Sequence, residues 1–410
     1  MGWAGLRGRR VGVWGVGVEG RATLRRLEAD GIEPVAVVDG DDVEPLLGCE
    51  VVLKSPGISP YDDPARRLAD AGVTLTSGLA LWLEDAPAGK VLCVTGTKGK
   101  STTSSIAGAL VAGLGHDVLV GGNLGTPPWD PAEPAADWSV IEVSSYQAHD
   151  LTVGPAVVVV TSLSQDHLTW HHGYETYVAD KLSLCTRPGV ETVVVPAGDA
   201  ELLRFRDLLG AVVEVDGIDP WVDELGLLGE HNRRNAMLAR EALVRLGVPG
   251  ADDDAAIARA ARGYTPLRSR LTLVGTCDGV DFVDDSLSTN TLPTLAAVDA
   301  FAGRRVALLV GGYDRGIDYT PLAAGLAGRS DPLLVLTLPD NGPRIAAAFA
   351  EAAPGVDVRA AEDLPAAVRT AHEWARPDGV VLLSPAAPSF GRFKDYAERA
   401  DVFEAAMRAL

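Results

Sequence analysis

The sequence predicts an α/β protein of three domains, and three observations carry that prediction. Apolar runs of strand length alternate with helix-like segments along the whole chain, the rhythm of parallel sheets covered by helices. Glycine-rich turns sit at two strand-to-helix junctions, VGVWGVGVEG from Val11 and VLCVTGTKGKSTT from Val91. Turn and linker residues interrupt the rhythm near LWLEDAPAGK and RGYTPLRSR, so it starts three times.

In the first domain, expected over residues 1–88, RRVGVWGVGVEGRATLRRLEADG reads as strand, turn and helix, followed by strands in PVAVVDG and EVVLKSPGISP. Gly15-x-Gly17-x-x-Gly20 follows the first strand and Asp39 lies about 20 residues on, the spacing of a Rossmann turn. Alone this suggests NAD, yet the same geometry serves any diphosphate. Ser55-Pro56-Gly57-Ile58 forms a second loop beside it, and Glu19, awkward near a diphosphate, is expected to point away. The second domain, 89–263, runs from Val91 through WSVIEVSS, PAVVVVTSLS and ETVVVPAG to the helical HNRRNAMLAREALVRLG. The third, 264–410, carries strands in VDFVDDS, RRVALLVGG, PLLVLTL and GVVLLSPAA and closes with the amphipathic YAERADVFEAAMRAL; it is again expected to be Rossmann-like. Clefts between such domains are favoured ligand sites.

A length of 410 residues allows two or three domains with substantial cores. The net charge of -20 argues against a broad nucleic-acid footprint, which needs clustered Lys and Arg. Cys49, Cys93, Cys185 and Cys277 make no C-x-x-C pair or metal-ligand spacing; all four read as core thiols in a reducing cytoplasm. No apolar run spans a bilayer and no signal peptide is expected, so the protein is expected to be cytoplasmic. A monomer is expected.

Gly96-Thr97-Lys98-Gly99-Lys100-Ser101 lies between a strand and a helix but is two residues shorter than the common G-x-x-x-x-G-K-[ST] phosphate loop. Gly96 and Gly99 let the backbone approach a phosphate, and the helix from about Lys100 aims its free N–H groups at the anion. Lys100 would contact the β/γ-phosphates, and Ser101 or Thr102 a Mg²⁺ ion. By itself the loop implies only a nucleoside triphosphate and Mg²⁺.

The compact loop resembles that of the Mur ligase and folylpolyglutamate synthetase superfamily. Further segments follow in the same order: IEVSSYQ with Glu142, SQDHL with His167, YVADKLSL with Lys181, GEHNRRN with Asn232 and Asn235, then DDSLSTN, GGYDRG and SPAAPSFGRFKDYAER. Their wording, together with GGNLGTP, is most similar to the MurD-type branch. This resemblance implies a central P-loop ATPase-like domain, a UDP-binding first domain, and ATP-driven addition of glutamate to UDP-N-acetylmuramoyl-L-alanine through an acyl phosphate.

The resemblance also implies roles. Gly96, Thr97, Gly99, Lys100, Ser101, Thr102, Asn232, Asn235, Asp285 and Asn290 would hold ATP. Ser101, Glu142, His167 and a carbamylated Lys181 would hold two Mg²⁺ ions. Arg268 would reach the phosphates on domain closure, although Leu267 and Arg270 replace the usual neighbours and leave its register open by two residues. Gly15, Gly17, Gly20, Asp39 and Ser55 would hold the UDP group, and Asn123, Ser144 and Gln147 the sugar and acyl side. Only six of the 36 basic residues are lysines, and two of those fall on family positions. His167 and His171 stand four apart, but no third ligand of suitable spacing supports zinc.

Thr289, Arg315, Ser389 and Tyr396 match the glutamate pocket. Ligases for D-glutamate usually have a lysine where Leu287 stands and an acid where Gly391 stands; Arg392 adds a guanidinium, and Arg315 replaces a lysine. Because inverting the α-carbon exchanges the directions of amine and carboxylate, these changes favour L-glutamate, with a separate glutamyl epimerase acting afterwards. The alternatives are drift within a D-glutamate ligase, a folylpolyglutamate-type ligase, or a UDP-sugar-binding regulator without catalysis.

Overall fold

The computed structural model describes residues 1–410. Strands β1 (Val11–Trp14), β2 (Ala36–Val38), β3 (Val51–Lys54) and β4 (Thr74–Thr76) form a parallel sheet in the order β2-β1-β3-β4. A second parallel sheet contains β5 (Val91–Thr95), β6 (Val118–Gly122), β7 (Trp138–Glu142), β8 (Val157–Val160), β9 (Thr192–Pro196) and β10 (Val212–Val215), ordered β10-β9-β8-β5-β7-β6. The third contains β11 (Thr272–Cys277), β12 (Val280–Asp284), β13 (Val306–Val310), β14 (Leu333–Thr337), β15 (Asp357–Ala360) and β16 (Val380–Leu383), ordered β11-β12-β16-β13-β14-β15. Only β11 runs antiparallel, joined to β12 by a hairpin.

The central strands are apolar on both faces because helices cover both faces. Val157 to Val160 and Val91 to Thr95 are buried throughout. Each such side chain removed from water stabilises the fold by about 1.5–3 kcal/mol before the entropy of ordering it is counted. Cys49, Cys93 and Cys185 are buried as expected, whereas Cys277 is only partly buried. It ends β11 beside an open turn, so the expectation of a core thiol fails there.

Two compact units are present. One comprises Met1–Leu225 with Arg234–Tyr264 and holds the first two sheets; the other comprises Gly226–Arg233 with Thr265–Leu410 and holds the third. No helix is long and apolar enough to cross a membrane. Register then positions the loops. Trp14 pairs with Val38 and Lys54, bringing Gly15, Asp39 and Ser55 together at one sheet edge. Val94 pairs with Glu142 and Thr95 with Val160, so Gly96, Ser144 and Thr161 emerge side by side. Carboxyl ends of parallel strands are where α/β proteins bind ligands.

Candidate functional site

The loop after β5 needs its glycines. Gly96 has φ +131° and a Cβ there would lie 2.1 Å from Thr161 Oγ1; Gly99, at φ +92°, is packed against the Asn235 amide. Both conformations exclude ordinary side chains. Gly99 caps the helix Lys100–Gly113, whose first turn carries Ser101 and the buried Thr102. Thr97 Oγ1 lies 2.7 Å from Tyr177 Oη and donates to the Ser164 carbonyl, fixing the loop from beneath.

Two lysines meet at this loop. Lys100 Nζ donates to the Gly96 and Thr97 carbonyls at 3.0 and 3.2 Å, and Lys181 Nζ donates to the Gly96 carbonyl at 2.9 Å. Lys181 is 2% exposed. Burial, and then the charge of Lys100, hold its pKa well below the ordinary value, which favours an uncharged amine.

Glu142, 1% exposed, projects from the end of β7. Its Oε1 accepts from Asn123 Nδ2 at 2.5 Å, while its Oε2 is buried without a partner. Leaving a buried carboxylate oxygen unmatched is costly, so this atom marks a place for a cation or donor. His167 is exposed nearby, with φ +53° and its ring 4.9 Å from that of Tyr146. His171 is fully buried and both ring nitrogens are engaged, Nδ1 with Asp180 at 2.6 Å and Nε2 with Ser145 at 2.9 Å. The i, i+4 pair is therefore not a zinc site.

Asp180 is a hub that sequence reading missed. Its carboxylate accepts from Tyr61 Oη at 2.8 and 2.9 Å and faces His149 Nδ1 at 2.8 Å as well as His171. Although burial opposes ionisation, the His149, His171 and Tyr61 hydrogen bonds dominate together and bring the carboxyl to about 2. Tyr61 belongs to the first sheet's domain, so this hub ties it to the central domain. Lys54 makes a second tie, 2.7 Å from Asp150, with both side chains buried.

Between these two domains lies a cleft of about 540 Å³ lined by Gly15, Gly17, Asp39, Ser55, Asn123 and Ser144, among others. A Cβ on Gly20 would strike the Gly15 carbonyl at 1.9 Å, whereas one on Gly17 would meet open space. The third glycine thus packs the helix and the second leaves room for a ligand. Asp39 Oδ1 accepts from Val16 N at 3.2 Å and Ser55 Oγ donates to the Gly15 carbonyl at 3.0 Å, bracing the turn.

Glu19 also lines the cleft, contrary to the expectation that it points away. Burial raises its pKa to about 7, partly offset by the 2.7 Å bond from Gln147 Nε2 to Glu19 Oε1. The electrostatic conflict is eased because the carboxyl is only partly ionised near neutral pH and its Oε1 is held on the buried Gln147 amide. Gln147 itself is fully buried: its Oε1 accepts from Ser144 N and Oγ in a capping box, so it positions Ser144 and Glu19 rather than lining the cleft.

In the second unit, Asp285 is buried and accepts from Ser384 Oγ at 2.7 Å; burial raises its pKa to about 7 against the Ser288 and Ser384 bonds and the Arg270 charge. Asn290 caps the helix Thr291–Asp299. Asn232 Nδ2 donates to the Leu228 carbonyl at 2.9 Å. Arg268 is exposed and ion-paired with Asp401, while Arg270, two positions on, is the arginine that acts on Asp285. Arg315 is exposed, with its guanidinium 5.9 Å from the Phe390 ring centre. Arg392 is turned aside onto Asp340 at 2.9 Å. Ser389 is buried, Thr289 partly buried and Tyr396 exposed. Arg399, unexposed, donates to the Ser286 and Ala387 carbonyls at 2.7 and 3.1 Å and so fastens the Asp285 loop to the Ser389 loop.

Residues 94–211 match the Mur ligase middle domain, and residues 269–387 match the Mur ligase glutamate ligase domain. The chain belongs to the Mur ligase family. Within that family it is 39% identical to a Micromonospora protein over 98% of this chain and 97% of the relative, and 40% identical to one from Salinispora tropica over 98% of each. Both relatives are named UDP-N-acetylmuramoyl-L-alanine–L-glutamate ligase. The Mur ligase fold is also evident against UDP-N-acetylmuramate-alanine ligase from Thermotoga maritima, with a TM-score of 0.60 at 16% identity over 98% of this chain and 99% of that one. Folylpolyglutamate synthase from Mycobacterium tuberculosis, complexed with ADP, gives a TM-score of 0.58 at 18% identity, covering 79% and 93%.

Proposed function

We propose that the chain is an ATP-dependent ligase that joins L-glutamate to UDP-N-acetylmuramoyl-L-alanine in peptidoglycan synthesis, with domains at 1–88, 89–263 and 264–410. The observation that carries this reading is the gathering of Lys100 and Lys181 on the glycine loop beside the unmatched Glu142 oxygen, whose other oxygen is held by Asn123, a residue lining the diphosphate-sized cleft. The γ-phosphoryl group of ATP passes to the alanyl carboxylate, and the glutamate amine then displaces phosphate to form the amide.

Glu142 and Ser101 offer hard oxygen donors that fit Mg²⁺, with the His167 imidazole a borderline donor beside them. When bound, Mg²⁺ supplies charge that neutralises phosphate oxygens. An uncharged Lys181 amine is able to attack CO₂, forming a C–N bond and losing a proton; the resulting carbamate is an anionic metal ligand. Lys100 neutralises phosphate charge, while Gly96 and Gly99 keep side chains away from the phosphates. On the acceptor side, the cleft holds the UDP group along Gly15, Gly17, Asp39 and Ser55, with Asn123 and Ser144 towards the acyl end.

For the amino acid, Arg315 supports a bidentate grip on a glutamate carboxylate. Leu287 and Gly391, together with the full-length relatives' names, favour the L form. The product would be a substrate for a separate epimerase. The test is incubation with UDP-N-acetylmuramoyl-L-alanine, ATP, Mg²⁺ and either enantiomer, reading phosphate release and product mass. L-selective turnover is expected; D-selective turnover would remove the stereochemical reading, and no turnover with either would remove the substrate assignment.

A further inference from the structure

At the other end of β12 from Asp285, β11 and β12 are joined by Asp278-Gly279, with φ +48° and +80°. Two consecutive left-handed residues make the tight hairpin turn that Asp-Gly favours. The turn fixes Asp278 next to Cys277, the last residue of β11. Facing them is His372, in the last turn of the helix Leu364–Ala375. Its ring is 6% exposed and stands against Phe282, and its Nε2 is buried with no hydrogen-bond partner. That nitrogen lies 3.6 Å from Asp278 Oδ2, too far for a hydrogen bond. One ligand atom from each of Cys277, Asp278 and His372 lies within 4.8 Å of the others.

We propose that Cys277, Asp278 and His372 bind a divalent transition-metal ion of the Zn²⁺ class. A soft thiolate, a borderline imidazole and a carboxylate together make a mixed donor set that suits zinc rather than magnesium. Ligand atoms around tetrahedral zinc stand about 3.3–3.7 Å apart, so the Asp278–His372 separation already fits and the partly exposed Cys277 needs only a side-chain adjustment. Binding replaces the thiol proton by the metal, releasing that proton to solvent. It also gives the unmatched His372 nitrogen a partner. Arg376, 3.9 Å from Asp278, is the other charged group facing the site and would give up that weak pairing. β12 spans about 13 Å, so the ion would staple the hairpin to the helix without touching the Asp285 end of the strand.

A simple Asp278–His372 ion pair is the competing account, and it makes no use of Cys277. The full chain, freed of metal by a chelator and kept reduced, is titrated with Co²⁺ and then Zn²⁺. One equivalent of Co²⁺ should give a thiolate charge-transfer band that Zn²⁺ abolishes, and Zn²⁺ should raise the melting temperature. Cys277→Ser should lose the band, and Cys277→Ser and Asp278→Asn should each weaken Zn²⁺ binding by about 100-fold, the upper end of what loss of even an outer-shell partner costs. Asp278 is exposed and Cys277 only partly buried, and circular dichroism of the metal-free variants checks that they fold. Absence of the band in the wild type, or its persistence in Cys277→Ser, would overturn the proposal. Neither result depends on ligase activity.

Discussion

The Tyr61–Asp180 contact sets up a quantitative test of how the first domain is held to the second. Tyr61→Phe removes one donor from a carboxylate that also faces two imidazoles, and Asp180→Asn replaces half of that acceptor by an amide N–H₂. A hydrogen bond to a charged group is worth about 1.5–3 kcal/mol net; because Tyr61 is only partly buried, the lower end, about 1.5 kcal/mol, applies. Asp180→Asn leaves at least one buried donor without an acceptor and should cost about 2–3 kcal/mol. At about 2–4 °C per kcal/mol for a body of this size, the melting temperature should fall by about 3–6 °C and 4–12 °C respectively. The double variant should be only slightly less stable than Asp180→Asn, giving a coupling of about 1 kcal/mol or more by chemical denaturation. KM for the nucleotide substrate should rise in both variants while KM for ATP moves little, since the hub ties together the two domains whose residues line the cleft. A coupling inside the roughly 0.3–0.5 kcal/mol scatter of independent sites would refute this reasoning.

Other perturbations test the remaining groups. Arg315→Ala should raise KM for glutamate by about tenfold or more, since losing even one charge-assisted bond of the bidentate pair costs about that much, with KM for ATP unchanged in steady-state assays. Glu19→Gln should stabilise the protein at alkaline pH. Since the folded carboxyl sits at about 7 instead of 4.5, stability is full below about pH 4.5 and is lost as pH rises through 7. At about 1.4 kcal/mol per pH unit, the loss is at most about 3.5 kcal/mol, so the variant's melting-temperature advantage should be largest at pH 8 and vanish by pH 4. Lys181→Arg, which cannot form a carbamate, should abolish turnover, and wild-type turnover should fall on rigorous CO₂ removal and return with bicarbonate; indifference to CO₂ would discard the carbamate.

The phosphate loop, its helix and the glycine turn after β1 were legible because each depends on local backbone geometry written in glycine spacing. Glu142 was legible only by resemblance, as nothing local separates it from any strand-end acid. The Asp180 hub was not legible: Tyr61, His149, His171 and Asp180 are brought together by packing across two domains, and each alone reads as an ordinary polar residue. Glu19's behaviour was not legible because sequence gives a full charge at neutral pH, not the desolvation that reduces it. Arg392 looked like a pocket guanidinium until Asp340 claimed it. Arg399 ends the SPAAPSFGRFKDYAER segment, yet its task, joining two loops through their carbonyls, requires those loops to be folded side by side. The Cys-Asp-Gly turn carried a hairpin signal in its Asp-Gly pair; its facing histidine lies 94 positions away.

The scarcity of lysine makes this protein unusual towards amine-directed reagents. Of six primary amines on side chains, Lys54 and Lys181 are buried, Lys98 and Lys100 sit in the phosphate loop, and only Lys90 and Lys394 are exposed elsewhere. Succinimidyl dyes, aldehyde fixatives and amine-coupled sensor surfaces would therefore find, besides Met1, few targets outside the loop. Immobilised in that way, a large share of molecules would be tethered at or beside their own nucleotide entrance, so binding data should instead be collected with a tag at either terminus. Conversely, loss of acylation at Lys98 and Lys100 on adding nucleotide would footprint occupancy by mass spectrometry, with Lys90 and Lys394 as internal references.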